Sequence, residues 1–183
     1  MQTDTLVRAR CAVTFPCRVQ LVAAMNPCPC GLRTAAPERC TCDPPAVRRY
    51  AQRVSGPLLD RIDLQVDVRR VPWRELGPPG GGEPTSVVRG RVLAARERAL
   101  RRTPGRLNAE LADAELAGTC RLDAAGEGIL AARAESLRLS ARTCRRILRV
   151  ARTLADLAGS PSIAGDHVLA AVRMGVPGGD GRV

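Results

Sequence analysis

The chain has 183 residues, is 45% hydrophobic but only 2% aromatic, and carries a formal net charge of +11. That length buries one ordinary core, or a small core with a helical appendage, and its Leu, Val, Ile and Ala suit thin helical packing better than a β-sandwich. No apolar run approaches the roughly 18 residues of a membrane span, and MQTDTLVRAR lacks the apolar stretch of a secretory signal, so no membrane association and a cytoplasmic location are expected.

Leu6 to Phe15 has little helical signal and reads as a hairpin or an extended lead-in. Val19 to Ala24 is a short apolar run followed by Asn26-Pro27, the pattern of a buried parallel strand. Pro27 to Cys42 is a loop rich in Pro, Gly and Cys. Asp43 is a candidate N-cap with Pro44 at the first helical position, opening a helix to about Val54 that Ser55-Gly56-Pro57 stops. Ile62, Leu64, Val66 and Val68 alternate with polar residues, which predicts a strand with one polar face. Gly77 to Pro84, GPPGGGEP, is a linker. Beyond it helices are expected over roughly 86–102, 109–117, 123–135, 141–158 and 166–174. Pro104-Gly105, Gly118 and Gly159 supply the breaks, and Asn108 and Ser140 the caps. The closing PGGDGRV reads as disordered.

All 29 basic residues are arginine, against 18 acids, and the excess is spread over both halves of the chain. A basic surface of this kind permits phosphate-rich partners, nucleotide or nucleic acid. Eight cysteines stand at 11, 17, 28, 30, 40, 42, 120 and 144. With nothing to export the chain, free thiols or a metal site are the live options. Cys28-Pro-Cys30 and Cys40-Thr-Cys42 put four thiolates in one short loop, enough to close a tetrahedral zinc site. The usual CxxC spacing is absent, and a set of reduced or redox-labile thiols is the competing reading.

Three further positions stand out. Asn26 ends the predicted buried strand, and by itself reads as an Asn-Pro turn. Arg61, in SGPLLDRIDLQV, either projects from a subunit edge or pairs with the adjacent Asp60 or Asp63. The helix over 141–158 sets Cys144, Ile147, Leu148, Ala151, Leu154, Ala155 and Ala158 on one face and Arg142, Arg145, Arg146, Arg149 and Arg152 on the other. Five arginines on a helix face read first as solvated. His167, the sole histidine, reads as structural.

QLVAAMNPCPCG, CTC and RRYAQRVSGPLLDRIDLQVDV, between Gln20 and Val68, resemble the second half of the AAA+ core in magnesium-chelatase-like ATPases of the ComM/YifB type. The resemblance continues through Arg142 to about Met174. It implies an α/β fold: a partial AAA+ P-loop-type core over 1–76, a linker over 77–84, an all-α lid over 85–176 and a disordered tail over 177–183. It also implies an ATP-dependent homo-hexameric motor that acts on DNA by branch migration, with ATP and Mg²⁺ as cofactors. In that frame Asn26 is the sensor 1 residue, and Arg61 is an arginine finger acting across a subunit boundary, worth on the order of 10³–10⁵ in rate. Arg142, in the LSAR string, becomes the sensor 2 arginine of the lid. Arg8 and Arg10 fall near the tip of a hairpin that in related helicases tracks the nucleic-acid backbone.

The sequence departs from that pattern in having no GxxxxGK[ST] phosphate loop and no lysine. The chain therefore reads as the back half of an ATPase, inactive alone, from a truncated or mis-started frame or a split gene. The competing reading, of a different class, is a small zinc-stabilised basic module that binds nucleic acid or a partner protein and performs no chemistry. A porphyrin-metallating chelatase is a third, against which the paired cysteines count.

Overall fold

Thr5, Val7, Val13 and Thr14 favour extended backbone, and they lie in an antiparallel hairpin of β1 (Thr3–Arg8) and β2 (Cys11–Pro16). Its register runs from Thr3↔Pro16 to Arg8↔Cys11, with the Thr5 and Thr14 hydroxyls 3.0 Å apart across the strands. The computed structural model describes residues 3–8, 11–16, 19–68, 70–75 and 82–176, which fall into two compact units, Met1–Ala51 and Gln52–Val183. Arg10, most of the predicted linker and the closing PGGDGRV lie outside the described residues.

This hairpin is the whole β-structure of the described residues apart from one isolated bridge, and the expected α/β fold with a partial AAA+ P-loop-type core is overturned. The remaining regular structure of the described residues is helical. Neither Val19–Ala24 nor Ile62–Val68 forms a strand. Apolar alternation sets where side chains point, but a strand also needs a neighbouring backbone to satisfy its N–H and C=O groups. Among the described residues no segment offers that ladder. The runs have no regular structure and are mostly exposed instead, with Val22 85% and Val68 90% accessible.

Among the described residues seven α-helices follow: α1 (Pro44–Ala51), α2 (Gly56–Leu59), α3 (Thr85–Arg102), α4 (Asp113–Thr119), α5 (Ala124–Ser136), α6 (Ala141–Ala158) and α7 (Gly165–Gly175). Ser55-Gly56-Pro57, expected only as a stop, opens α2, because a proline in the first turn needs no amide partner. Side chains cap the N-termini of α1, α5 and α6. Asp43 accepts from Ala46 N at 2.7 Å, Asp123 from Gly126 N at 2.7 Å, and Ser140 from Thr143 N at 3.1 Å. His167 Nδ1 accepts from Ala164 N at 3.0 Å, a structural role at the start of α7. Gly159 ends α6 at φ +74, a left-handed turn that a side chain disfavours.

The core of the second unit packs α6 against α7, with Ile147, Ala151 and Ala155 meeting Val168, Ala171 and Val172, and with Leu111, Leu116 and Ile163 closing the sides. Leu122 and Ile163 bridge the loops before α5 and α7, with Asp123 N donating to Ile163 O at 3.0 Å.

Three of the five arginines placed on the solvated face of α6 are not solvated. Arg146 and Arg152 are buried and Arg149 is half-buried. Arg149 donates to Leu111 O and to Asp113, while Arg152 donates to Ser160 O, Pro161 O and Asp156. The second set is an internal brace, built where carbonyls at a chain reversal would otherwise lack donors.

Candidate functional site

The cysteine loop folds as a series of tight turns. Gly31, at φ +79, lets the chain reverse after Cys28-Pro-Cys30, with its own N–H donating to Cys28 O at 3.0 Å. Ala36 N donates to Leu32 O, a 3₁₀ turn spans Pro37–Arg39, and Cys40 N closes it on Pro37 O at 3.1 Å. These turns bring the two CxC pairs together. Cys28 Sγ lies 3.4 Å from Cys30 Sγ and 3.9 Å from Cys40 Sγ, and Cys30 and Cys40 are 3.7 Å apart. With Cys42, all four sulfurs lie within 4.8 Å of one another.

Those separations discriminate between chemistries. A disulfide would bring two sulfurs to about 2.05 Å. Four thiolates on one tetrahedral ion at about 2.3 Å have edges of about 3.8 Å. The observed cluster matches the second case, and the four cysteines can hold one metal ion. Cys28 is buried, Cys40 and Cys42 are half-buried, and Cys30 faces solvent.

The thiols do not ionise alike. Burial pushes Cys28 up, but hydrogen bonds from the Arg33 backbone and from the neighbouring thiols outweigh it and lower its pKa to about 6. Cys42 is held down by a hydrogen bond with the Cys30 backbone. Its side-chain bond with Cys30, burial and the Cys28 charge nonetheless carry it up to about 11. Cys40, with the Cys42 backbone opposing, is also raised, by burial and by the same sulfur neighbours. Cys28 therefore ionises at lower pH than Cys40 and Cys42, and the thiolate is the form that binds a cation.

Asn26 lies two residues before Cys28, exposed, with its carboxamide beside the Gly31 turn. It belongs to the first unit; Arg61 and Arg142 belong to the second. Arg61 sits just after α2, exposed, with Nη1 donating to Pro57 O at 3.4 Å. It forms no ion pair with Asp60 or Asp63 among the described residues. Arg142 is exposed on the first turn of α6, and Arg8 is exposed at the end of β1. The four cysteines are thus the predicted site residues that the fold gathers at contact distance.

Arg146 is the residue that the sequence reading passed over. Its Nη1 donates to Asp60 O at 2.6 Å and Ile62 O at 3.1 Å, on either side of Arg61, and its Nη2 donates to Gly175 O at 2.6 Å. Gln65 N adds a bond to Met174 O at 2.6 Å. The turn carrying Arg61 is thereby fixed to α6 and the end of α7. Arg146→Ala should cost about 2–3 kcal/mol, since several charge-assisted bonds to carbonyls are lost. Arg61→Ala should shift stability by less than about 0.5 kcal/mol, as an exposed side chain with one long bond. Parallel urea titrations check both, and faster hydrogen exchange at the Gln65 amide in the Arg146 variant would localise the effect.

Two family profiles match the chain. One described as magnesium chelatase, subunit ChlI, covers residues 2–76, and one described as magnesium chelatase, subunit ChlI C-terminal, covers residues 82–174. The chain belongs to the magnesium-chelatase-like family of the ComM/YifB type. It is 41% identical over 174 residues to the uncharacterized protein YifB of Escherichia coli K12, a match covering 91% of this chain and 33% of that protein. It is 40% identical over 166 residues to the competence protein ComM of Haemophilus influenzae, covering 90% and 32%. An uncharacterized protein of Mycobacterium tuberculosis H37Rv is 42% identical over 170 residues, covering 91% and 33%. The chain therefore spans about a third of the length of these relatives. With no phosphate loop and no lysine, it is by itself incomplete for ATP hydrolysis. None of the helices among the described residues is long and apolar enough to cross a membrane.

Proposed function

We propose that this chain is a zinc-stabilised basic module that binds and performs no chemistry of its own. The observation that carries this is the cluster of four cysteine sulfurs, all within 4.8 Å of one another. Its all-sulfur donor set suits a closed structural zinc site, and a reducing cytoplasm keeps such thiols available. Cys28, Cys30, Cys40 and Cys42 would hold the ion, and zinc would supply a cross-link with no open position for a substrate. The test is metal analysis of the purified chain from zinc-supplemented growth, where about one zinc per chain is expected. Well-folded protein free of metal would refute the reading.

A second reading is favoured by the match to both chelatase profiles. In it the chain contributes Asn26, Arg61 and Arg142 to an ATP-driven, hexameric DNA motor, with ATP and Mg²⁺ bound by a phosphate loop that this sequence does not contain. The exposure of Arg61 and Arg142 supports it, since both guanidinium groups are available to phosphate. Arg8 and Arg10 would then contact DNA. Its test is ATP turnover when the chain is mixed with a phosphate-loop polypeptide of a ComM/YifB-type relative. Turnover that disappears with Arg61→Ala supports it, and unchanged turnover in that variant removes Arg61 from the mechanism.

A further inference from the structure

The sequence of Met1–Ala51 holds seven arginines against three acids. Arg33, Arg39, Arg48 and Arg49 are exposed, and among the described residues none of their guanidinium groups forms an ion pair or hydrogen bond. In the second unit, by contrast, Arg91 closes on Glu83, Arg101 on Glu97 and Arg106 on Glu115. An arginine paired with a carboxylate is already satisfied. Among the described residues, the four in the cysteine-bearing unit keep their donors free.

Two of them also share one helix. The sequence of α1, PPAVRRYA, contains no acid, and Arg48 and Arg49 stand in its last turn about 100° apart. The helix begins two residues after Cys42, and Asp43 between them caps it through Ala46 N. Whatever fixes Cys42 fixes α1. A guanidinium fork matches phosphate oxygens, and mounting it on a pinned helix lowers the ordering cost of binding. Adjacent residues pointing in different directions suit a repeating chain of phosphates better than a single small anion.

We propose that Arg48 and Arg49, with Arg33 and Arg39 of the cysteine loop, form a binding surface for the sugar–phosphate backbone of nucleic acid, independent of base sequence. This rests on the reading of the first unit as a metal-stabilised binding module. It assigns the partner to residues that neither the hairpin arginines nor the nucleotide residues include.

The experiment is fluorescence anisotropy of a fluorescein-labelled oligo(dT), titrated with the zinc-loaded chain over a range of salt concentrations. Each phosphate contact removed from a single strand lowers the slope of log K against log salt by about 0.7. Arg48→Gln with Arg49→Gln should therefore lower the slope by about 1.4 and weaken binding roughly 25-fold at 0.1 M salt. Arg121→Gln with Arg173→Gln, which removes the same charge from exposed positions of the second unit, should leave both nearly unchanged. Circular dichroism and metal analysis accompany every sample. Wild-type affinity and slope in the Arg48/Arg49 variant overturn the proposal, as does an equal loss in the Arg121/Arg173 variant. Binding of poly-glutamate without binding of oligo(dT) at low salt also overturns it, making the partner an acidic protein surface. Wild-type protein found without zinc would refute the metal-stabilised reading separately, while the comparison of the two variant pairs would still decide this surface.

Discussion

Cys28→Ser should reduce bound zinc from about one per chain to near zero and unfold the segment that the cysteines organise. The reason lies in how little else holds the first unit. Among its described residues only Cys28 and Ala36 are buried apolar groups, so no hydrophobic core offsets the entropy of ordering the loop. Leu21, Val22 and Met25, which could have made one, are more than half exposed. A structural zinc ion is worth about 10–16 kcal/mol in small zinc peptides, far more than those two residues supply. Serine keeps the shape of cysteine but is a poor zinc ligand, and Cys28 is the buried corner of the tetrahedron. Cys120→Ser, in the core of the second unit, should keep the metal. Metal analysis with circular dichroism before and after chelation checks both.

The pH dependence of metal binding follows from the same sulfurs. Only thiolates bind zinc, so protons compete and affinity must fall as pH falls. Near neutral pH Cys28 is already ionised, with its pKa lowered to about 6, and the competition comes from Cys40, which is raised, and Cys42, which lies at about 11. Below about pH 6 Cys28 must also lose a proton, so the fall should steepen there. Competition against a chromophoric chelator across that range measures it. A curve whose slope does not increase below about pH 6 would mean that Cys28 is not the anchoring thiolate.

Local signals made much of the second unit legible. The helix expected over 141–158 is α6 with the same bounds, because its apolar residues recur at 3.6-residue spacing between Ser140 as cap and Gly159 as stop. The four cysteines were legible because their spacing limits how far apart the sulfurs can be. The strands were misread because alternation at Ile62–Val68 describes side chains, while a strand exists only if another backbone lies beside it. Arg146 escaped for a related reason. A helical wheel has one core-facing side, but α6 is covered on a second side by Asp60 and Ile62, which are 86 and 84 residues away in sequence. Arg152 did leave a trace, since Asp156 stands one turn further along as the only acid in the helix.

Asp156→Ala should be the most damaging single substitution in the second unit. The Asp156 and Arg152 side chains are each 1% exposed, 3.1 Å apart. The carboxylate also accepts from Arg102 and, at 2.8 Å, from the Asn108 amide. Asn108, expected as a helix cap, is instead drawn into this network and reaches Thr153 Oγ1 at 3.1 Å. Burial lowers the pKa of Arg152, and the Asp156 charge opposes that shift. Removing the carboxylate leaves a buried guanidinium with two carbonyls and no counter-charge, a change that costs about 3–5 kcal/mol. For a chain of this size that lowers the melting temperature by roughly 6–20 °C. Asp156→Asn keeps the shape and one acceptor oxygen but turns an NH₂ group toward donors, so it should fall between the two. Arg102→Ala should cost less than Asp156→Ala, because Arg102 is 24% exposed and water can replace part of what it supplies. The decisive comparison replaces both charges, Arg152→Met with Asp156→Leu. If the cost comes from an uncompensated charge, the double variant should recover much of the stability that Asp156→Ala loses. If it melts as low as Asp156→Ala, the bonds from Arg152 to Ser160 and Pro161 carry the stability instead, and the carboxylate is secondary. Scanning calorimetry on the four variants and the wild type separates these outcomes.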